Sequence, residues 1–290
     1  MIQARRRCLQ AVWASTLAPA ATPGGAAIAA TKGGSTAPLR QTVWLGDTAV
    51  QLQRQRAQLG GLRYLNLHQN ERTSVAAASA LLSGEAGPTR LAGPTGPTGP
   101  TGQPGQPGEL ITLLAQGQRL VIFRIGLRPF VFDPNRIFTE PGLDMTLRRY
   151  GSSTPAAQAA VRGLRDAVLA LLPATDPTPV VALHNNGAGQ YGMRSYRPGG
   201  SNAADARRIK EQPGHDPDDF FLVTTDDWFE ALSAAGFNVV QQGPGVLDDG
   251  SLSVWFAQQR RPYLNVEARH GHFAEQRAML AAVAQIAARR

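Results

Sequence analysis

Short apolar runs alternate with longer amphipathic segments along most of the chain. Apolar runs bounded by turn residues predict strands, and apolar residues at helical spacing predict helices. The predicted strands cover residues 62–67, 119–125, 128–132, 179–183, 220–224, 237–241, 251–256 and 262–266. The predicted helices cover residues 73–82, 155–172, 226–235 and 273–288. Between residues 43 and 58 we expect a short strand, followed by a helix starting near Asp47 or Thr48.

This order predicts one domain over residues 43–290, because strands that alternate with helices are typical of α/β folds. We expect a single mixed, mainly parallel sheet with helices packed on it. In such sheets ligand sites form beyond the carboxyl ends of the strands. The polar residues at those ends are therefore the candidates for function.

Four residues that can bind metal or transfer protons follow apolar runs in this way. His68 and Glu71 follow residues 62–67, His184 follows residues 179–183, and Glu267 follows residues 262–266. A His and a Glu three residues apart are common by chance, so their agreement with the other two strand ends is the evidence. Two imidazoles and one carboxylate with an open fourth position are typical of a catalytic zinc site. His68, Glu71 and His184 are the predicted ligands of one zinc ion, and Glu267 is the predicted general base.

Further polar residues complete a candidate substrate site. A guanidinium near the metal can stabilise a developing oxyanion, and we prefer Arg128 to Arg124 for this role. Asn135 and Arg136 follow a strand that Pro134 ends, and Arg binds carboxylates through two hydrogen bonds. Asn185 is a candidate substrate contact, with a turn-forming role as the alternative.

These residues carry a resemblance to a known family. The order His68-x-x-Glu71, Arg128, Asn135-Arg136, His184 and Glu267 resembles the zinc carboxypeptidase superfamily, including its succinylglutamate desuccinylase and aspartoacylase branch. The segment Asp133-Pro-Asn-Arg-Ile-Phe138 is similar to the Asp-Leu-Asn-Arg-x-Phe segment of that branch. The resemblance implies a carboxypeptidase-like (phosphorylase/hydrolase-like) fold and a zinc-dependent hydrolase. Such an enzyme cuts a peptide or amide bond next to a free carboxylate.

One element of the family pattern is missing. The carboxypeptidases usually carry a substrate-capping Tyr some twenty residues before the catalytic Glu, and the corresponding segment Gly243 to Gly250 contains none. Tyr191, Tyr196 or Tyr263 could take this role. The departure leaves ordinary carboxypeptidase specificity open.

Composition excludes some partners. The 42% hydrophobic content is that of a globular protein, and no run approaches the roughly 18–20 apolar residues of a membrane span. The net charge of +8 comes almost entirely from scattered Arg residues that are not interleaved with aromatic residues. This distribution disfavours a nucleic-acid groove. The expected partner is a small peptide or an N-acyl amino acid, and the sequence leaves the oligomeric state open.

The first 29 residues resemble a twin-arginine export signal. Arg5-Arg6-Arg7 precedes a modestly apolar stretch with small residues at possible cleavage positions. We therefore expect an exported protein, periplasmic or secreted; the alternative is a basic tail on a cytoplasmic protein. The only cysteine, Cys8, lies in this segment, so cleavage would leave no thiol chemistry. Residues 30–42 are rich in Gly, Ser, Thr and Pro and are predicted to be a linker.

Residues 93–108 carry Gly at every third position, with Pro and Thr or Gln between. This is the period of collagen, but the stretch is far shorter than a stable triple helix needs. We expect a disordered insertion on the surface of the domain.

The sequence therefore favours a zinc-dependent hydrolase, with a cell-wall peptide as the substrate if the protein is exported. The alternative within the enzymes is an N-acyl amino acid deacylase. Alternatives of other classes are a non-catalytic protein on the same fold that binds a carboxylate-bearing ligand, and a collagen-like assembly protein.

Overall fold

The computed structural model describes residues 38–58, 61–85, 105–172, 175–176 and 178–290. The predicted export signal, residues 30–37 of the predicted linker and residues 93–104 of the Gly-Pro-Thr segment lie outside this part of the chain. None of the helices described is both long and apolar enough to cross a membrane.

The described residues form strands and helices in mixed order. The strands are β1 (Leu39–Leu45), β2 (Thr48–Gln58), β3 (Leu62–Asn66), β4 (Gly108–Leu114), β5 (Val121–Ile125), β6 (Arg128–Phe132), β7 (Val180–Asn186), β8 (Ala206–Lys210), β9 (Phe220–Val223), β10 (Val239–Gln242) and β11 (Tyr263–Arg269). The helices are α1 (Arg72–Ser83), α2 (Glu140–Arg149), α3 (Pro155–Ala170), α4 (Asp226–Ala234), α5 (Leu252–Gln258) and α6 (Phe273–Ala287).

Nine of these strands form one mixed sheet, in the order β1-β2-β4-β3-β7-β11-β9-β10-β8. Its four central strands, β4, β3, β7 and β11, are all parallel to one another. Antiparallel pairs flank this centre on both sides. The hairpin of β5 and β6 forms a separate two-stranded sheet, as predicted. The predicted fold class, a mixed α/β sheet flanked by helices, is confirmed.

Helices cover both faces of the sheet. Successive side chains of a central strand point to opposite faces and therefore pack into two different cores. In β7, Val180 and Ala182 pack into a core that includes residues of α2, α3 and α5. Val181 and Leu183 pack into a second core that includes residues of α1, α4 and α6. Central strands buried on both faces need to be apolar throughout, which explains the wholly apolar runs of the sequence.

The register of the central strands brings their carboxyl ends to one edge of the sheet. Leu65 of β3 lies beside Ala182 of β7, and His184 of β7 lies beside Glu267 of β11. The residues that end these strands therefore meet where a ligand site is expected.

Of the prediction for residues 43–58, the short strand is present as the end of β1, but the helix is wrong, because β2 replaces it and forms a hairpin with β1. Pairing already begins at Leu39, inside the predicted linker. Gly46 turns the chain with a φ of +56°, and Val50 and Leu52 are buried between polar neighbours. That alternation is typical of a half-buried strand, although Gln, Arg and Ala are good helix formers.

The prediction for residues 251–256 was also wrong. The segment forms α5, and the Ser251 hydroxyl accepts a hydrogen bond from the backbone N–H of Val254 at the helix start. Leu252 and Phe256 are both fully buried, at the spacing of one helical turn. Strand β4 and helix α2 were not predicted.

Candidate active site

Three side chains that can bind metal converge where β3 and β7 end. His68 Nδ1 lies 2.9 Å from Glu71 Oε1, and His184 Nδ1 lies 3.0 Å from Glu71 Oε2. One potential ligand atom from each side chain lies within 4.8 Å of the other two. All three residues are buried. The structure therefore brings together the three predicted metal ligands.

The donors and their separations fit a divalent metal ion. An ion about 2.0–2.2 Å from each donor allows donors to lie up to about 4.4 Å apart. The two separations between Glu71 and the imidazoles fall within this limit. Two nitrogens and one carboxylate are the donor set of catalytic rather than structural sites. Glu71 and His184 also line a cavity, so a fourth position can face a ligand.

A second carboxylate and a guanidinium support this cluster. His68 Nε2 lies 2.8 Å from Asp133 Oδ1, so Asp133 orients the imidazole from the side opposite Glu71. A carboxylate in this position is a common partner of metal-binding histidines. The half-exposed Arg119 donates to Glu71 Oε1 at 3.1 Å and to Asp133 Oδ2 at 3.2 Å.

The charges of the cluster depend on one another. Burial disfavours the protonated form of His68, but Glu71 and Asp133 outweigh this and raise the pKa of His68 above its usual range. Burial opposes ionisation of Glu71, yet the two imidazoles lower the pKa of its carboxyl. The pKa of Asp133 is also lowered, because His68 and Arg119 outweigh its burial. Buried carboxylates need such positive charge, and a metal cation can supply it.

Glu267 lies beside the cluster on β11. It is buried, and its neighbour in the register of β7 is His184. Burial raises the pKa of the Glu267 carboxyl, and the negative charge of Glu71 adds to this effect, although His184 opposes it. A carboxyl with a raised pKa, next to a metal-capable cluster, suits transfer of a proton in both directions.

Glu71 and His184 of the cluster, together with Glu267, line a cavity of about 520 Å³. This volume is within the range of sites for small ligands, which is roughly 300–1,000 Å³. Asn135 and Arg136 line the same cavity. The structure therefore places two of the three predicted ligands, the predicted base and the predicted carboxylate clamp around one space, with His68 buried behind Glu71.

Arg136 is held in place by two contacts. Its Nε atom lies 3.2 Å from Asp249 Oδ2, and its NH1 group donates to the backbone carbonyl of Asn135 at 2.8 Å. The side-chain oxygen of Asn135 accepts a hydrogen bond from Leu252 N at 3.2 Å. The pKa of Arg136 is raised although its burial acts to lower it, because Asp249 and Asp133 favour the cation. Arg136 therefore remains charged in the cavity wall.

The structure places Arg128 away from the cavity, contrary to the prediction. It lies exposed at the turn end of the β5–β6 hairpin, with its guanidinium carbon 5.5 Å from the ring centre of Phe130. Phe130 and Phe132 on the same face of the strand are buried, but Arg128 lies beyond the end of that core. Arg119, before the hairpin, is the arginine that reaches both the cluster and the cavity.

Asn185 is among the residues that line the cavity, but its side-chain amide bonds within the fold and is not free for the predicted contact with a substrate. Its Oδ1 accepts from Ser74 N at 2.9 Å, and its Nδ2 donates to Ala268 O at 3.1 Å and Gln276 Oε1 at 2.8 Å. Strand β7 continues through this residue, so the Asn185 side chain projects to the sheet face opposite His184. Asn185 ties the start of α1 to β11 and α6.

All three candidates for the missing Tyr line the cavity: Tyr191, Tyr196 and Tyr263. The hydroxyl groups of Tyr191 and Tyr196 hydrogen-bond to each other. Burial and the charge of Glu267 raise the pKa of Tyr263, so its hydroxyl stays protonated at neutral pH. The cavity thus has phenol donors, although the segment expected to carry the capping Tyr has none.

A second group of possible ligands, Asp216, Asp219 and His272, does not form a comparable site. The guanidinium of Arg269 lies 3.3 Å from Asp216 and hydrogen-bonds to His272 Nε2. His272 Nδ1 lies 2.7 Å from Asp219. The arginine already supplies the positive charge that a metal ion would bring.

Comparisons with known proteins give only distant similarity. No protein-family model matches the sequence, and no curated protein matches it significantly. Among solved structures, the chain is similar to an aspartoacylase family protein from Mesorhizobium loti, with 13% identity and a TM-score of 0.41 over 85% of this chain. The chain spans 66% of that protein, just under two thirds of its length. It is also similar to a "putative metallopeptidase" from Shewanella amazonensis, with 14% identity and a TM-score of 0.38, over 85% of this chain and 84% of that one.

Proposed function

We propose that the protein is a zinc-dependent hydrolase that cleaves a peptide or amide bond next to a free carboxylate. The observation that carries this proposal is the placement of Glu267 beside the cluster of His68, Glu71 and His184, with Glu267, Glu71 and His184 lining one cavity. Two imidazoles and a carboxylate favour zinc over magnesium or calcium, which take mainly oxygen ligands.

A bound zinc ion would supply a Lewis acid for the water and the carbonyl. The chain's own groups then carry out the remaining steps. Glu267 accepts a proton from the attacking water and later donates it to the leaving amine, as the C–N bond breaks and the carboxylic acid product forms. Arg119 lies close enough to the cluster to stabilise negative charge on the carbonyl oxygen, and we assign it the role first expected of Arg128.

The substrate carboxylate binds to Arg136 in this proposal. Arg136 lines the cavity and keeps its charge, and its contact with Asp249 fixes the direction of the guanidinium. An anchored carboxylate sets the distance between the scissile bond and Glu267. This requirement restricts the substrates to peptides and N-acyl amino acids with a free carboxylate.

A panel of substrates tests the proposal. Zinc-loaded protein is assayed against dipeptides and N-acetyl amino acids, each with its C-terminal amide as a matched control that lacks the carboxylate. We expect hydrolysis of free acids only, and Glu267→Gln should abolish it while zinc content by mass spectrometry stays the same. Normal turnover by Glu267→Gln, or equal turnover of the amides, would contradict the proposal.

The same panel separates the alternatives. Preference for N-acetyl amino acids over dipeptides would identify a deacylase, and the reverse would identify a peptidase. Cell-wall peptides belong in the panel because the proposed export signal would carry the protein to them. A protein that binds no zinc and hydrolyses nothing would be the non-catalytic binding protein instead.

A further inference from the structure

The carboxylate of Glu267 is contacted by two asparagine amides. Glu267 Oε1 accepts a hydrogen bond from Asn265 Nδ2 at 3.2 Å, and Glu267 Oε2 lies 3.5 Å from Asn186 Nδ2. In the part of the chain that the structure describes, no other side chain donates to this carboxylate. One amide comes from β11 and the other from the neighbouring strand β7.

The orientation of each amide is set by what surrounds its nitrogen. Asn186 Nδ2 also donates to Asp218 O at 2.7 Å, and Asn265 Nδ2 faces the carboxylate. Turning either amide around would place its oxygen against another oxygen, and an amide oxygen cannot donate. Both amides therefore present N–H groups to Glu267.

The carbonyl oxygen of each side-chain amide makes no hydrogen bond. The Oδ1 atoms of Asn186 and Asn265 are buried and have no hydrogen-bond partner. Such an acceptor lowers stability, and buried polar groups are usually paired for this reason. Among the described residues, Asn265 therefore makes no side-chain hydrogen bond that joins it to another element of the fold, and Asn186 makes one, to Asp218 O.

Buried asparagines elsewhere in the molecule show what a structural role looks like. Asn238 accepts from Gln212 N at 2.8 Å and donates to Asp216 O and Asp219 O at 2.9 and 3.0 Å. Asn185 is paired at both ends in the same way. Asn265 differs from these asparagines because its only side-chain hydrogen bond within the described part of the chain is to Glu267, whereas Asn186 also donates to Asp218 O.

We propose that Asn265 is a positioning residue that orients the Glu267 carboxylate for its reaction, with Asn186 as a weaker second restraint. The proposal rests on the catalytic role proposed for Glu267. The distances decide the order, because 3.5 Å is at the limit of a hydrogen bond and 3.2 Å is near its usual range. Asn265 and Glu267 are two residues apart on β11, so their side chains lie on the same face of the strand.

Replacement of Asn265 tests this role in the full-length, zinc-loaded protein. Asn265→Leu removes the N–H donor at similar volume, and kcat for the best N-acetyl amino acid or dipeptide should fall by up to about 100-fold. KM and zinc content should change little, because the Asn265 side chain hydrogen-bonds to Glu267 and to none of Arg136, His68, Glu71 and His184 among the described residues. Asn265→Gln keeps an amide donor and should restore part of kcat, and Asn186→Leu should have a smaller effect. Asn265→Val, with a residue suited to strands, gives a second measurement if Leu disturbs folding.

A double-mutant cycle separates positioning from a general structural effect. If Asn265 acts only through Glu267, Asn265→Leu should cause no further loss of the residual activity of Glu267→Ala. Asn238→Leu is the matched control, and it should lower stability without a selective fall in kcat. An unchanged kcat in Asn265→Leu, or the same loss in both backgrounds, would overturn the proposal. Retained turnover by Glu267→Gln would contradict the proposed function as well, whereas the other two results leave that function intact.

Discussion

A buried carboxylate lies near each end of β3, Glu109 near its start and Glu71 after its end. The groups that surround the two carboxylates differ. At the start of the strand, Glu109 of the neighbouring strand β4 accepts hydrogen bonds from three arginines: Arg54 Nε at 2.5 Å, Arg63 Nε at 2.7 Å and an Arg56 nitrogen at 3.3 Å. At the end of the strand, Glu71 meets two imidazoles and one half-exposed arginine. One carboxylate lies among permanent cations, and the other lies among groups whose charge can change.

The difference separates a structural cluster from a functional one. Arginine stays protonated at any ordinary pH, so the protein itself supplies the positive charge that Glu109 needs. Imidazole can be neutral or charged and can bind metal, so the charge balance around Glu71 depends on what binds there. The comparison predicts that changes at Glu71 affect metal and activity, whereas changes at Glu109 affect stability.

The largest expected effect is that of Glu71→Gln. Among the described residues, Glu71 is the only carboxylate that contacts both imidazoles, so bound zinc should fall from about one ion per chain to nearly none. Hydrolysis should become undetectable, because neither the Lewis acid nor its water remains. Zinc content by mass spectrometry and turnover of the best substrate check this prediction. Full zinc content in Glu71→Gln would place the metal elsewhere.

The next effect is that of Asp133→Asn, which weakens the support of His68 without removing a ligand. Partners of this kind typically change metal affinity by about 10- to 100-fold. We expect the zinc dissociation constant to rise by that factor in a chelator competition, with the fold unchanged by circular dichroism. Thr146→Val is a useful control, since Thr146 contacts Asp133 only through the backbone N–H of Asp133.

The sequence was sufficient to predict the residues at the strand ends. Central parallel strands are apolar on both faces, so each run shows where its strand ends and which polar residues follow. His68, Glu71, His184 and Glu267 were found in this way. Their meeting at one edge follows from the parallel arrangement of β3, β7 and β11.

The remaining parts of the site depend on strand lengths and tertiary contacts, which the apolar runs of the sequence do not show. Strand β7 extends three residues beyond its apolar run, so alternation places His184 and Asn186 on the cavity face and Asn185 on the other. Arg119 comes before β5 and Arg128 follows the turn after it, and only the three-dimensional path of the hairpin decides which one reaches Glu71. Asp249 comes from a distant segment of the chain, and local sequence gives no sign of its contact with Arg136.

Changes at Glu109, near the start of β3, should alter the stability of the protein. Glu109→Gln leaves three guanidinium groups without their carboxylate, although Arg63 keeps its contact with Asp176. We expect a loss of about 1–3 kcal/mol in the free energy of unfolding, measured by urea denaturation of metal-free protein. Zinc content and turnover should be unchanged. Glu140→Gln, at an exposed glutamate bound by Arg162 and Arg165, is the control and should cost less than about 1 kcal/mol.

The smallest effect is the pH dependence of that stability difference. Burial acts to raise the pKa of Glu109, but Arg54 and Arg63 outweigh it, so the folded-state pKa lies below the usual value. A depressed pKa contributes stability that is fully present above the unfolded-state value of about 4.3 and is lost as the pH falls through the folded-state value. The difference in unfolding free energy between wild type and Glu109→Gln should therefore be constant from about pH 6 to 8 and shrink below about pH 4. A difference that grows on acidification would mean that the arginines do not favour the Glu109 carboxylate.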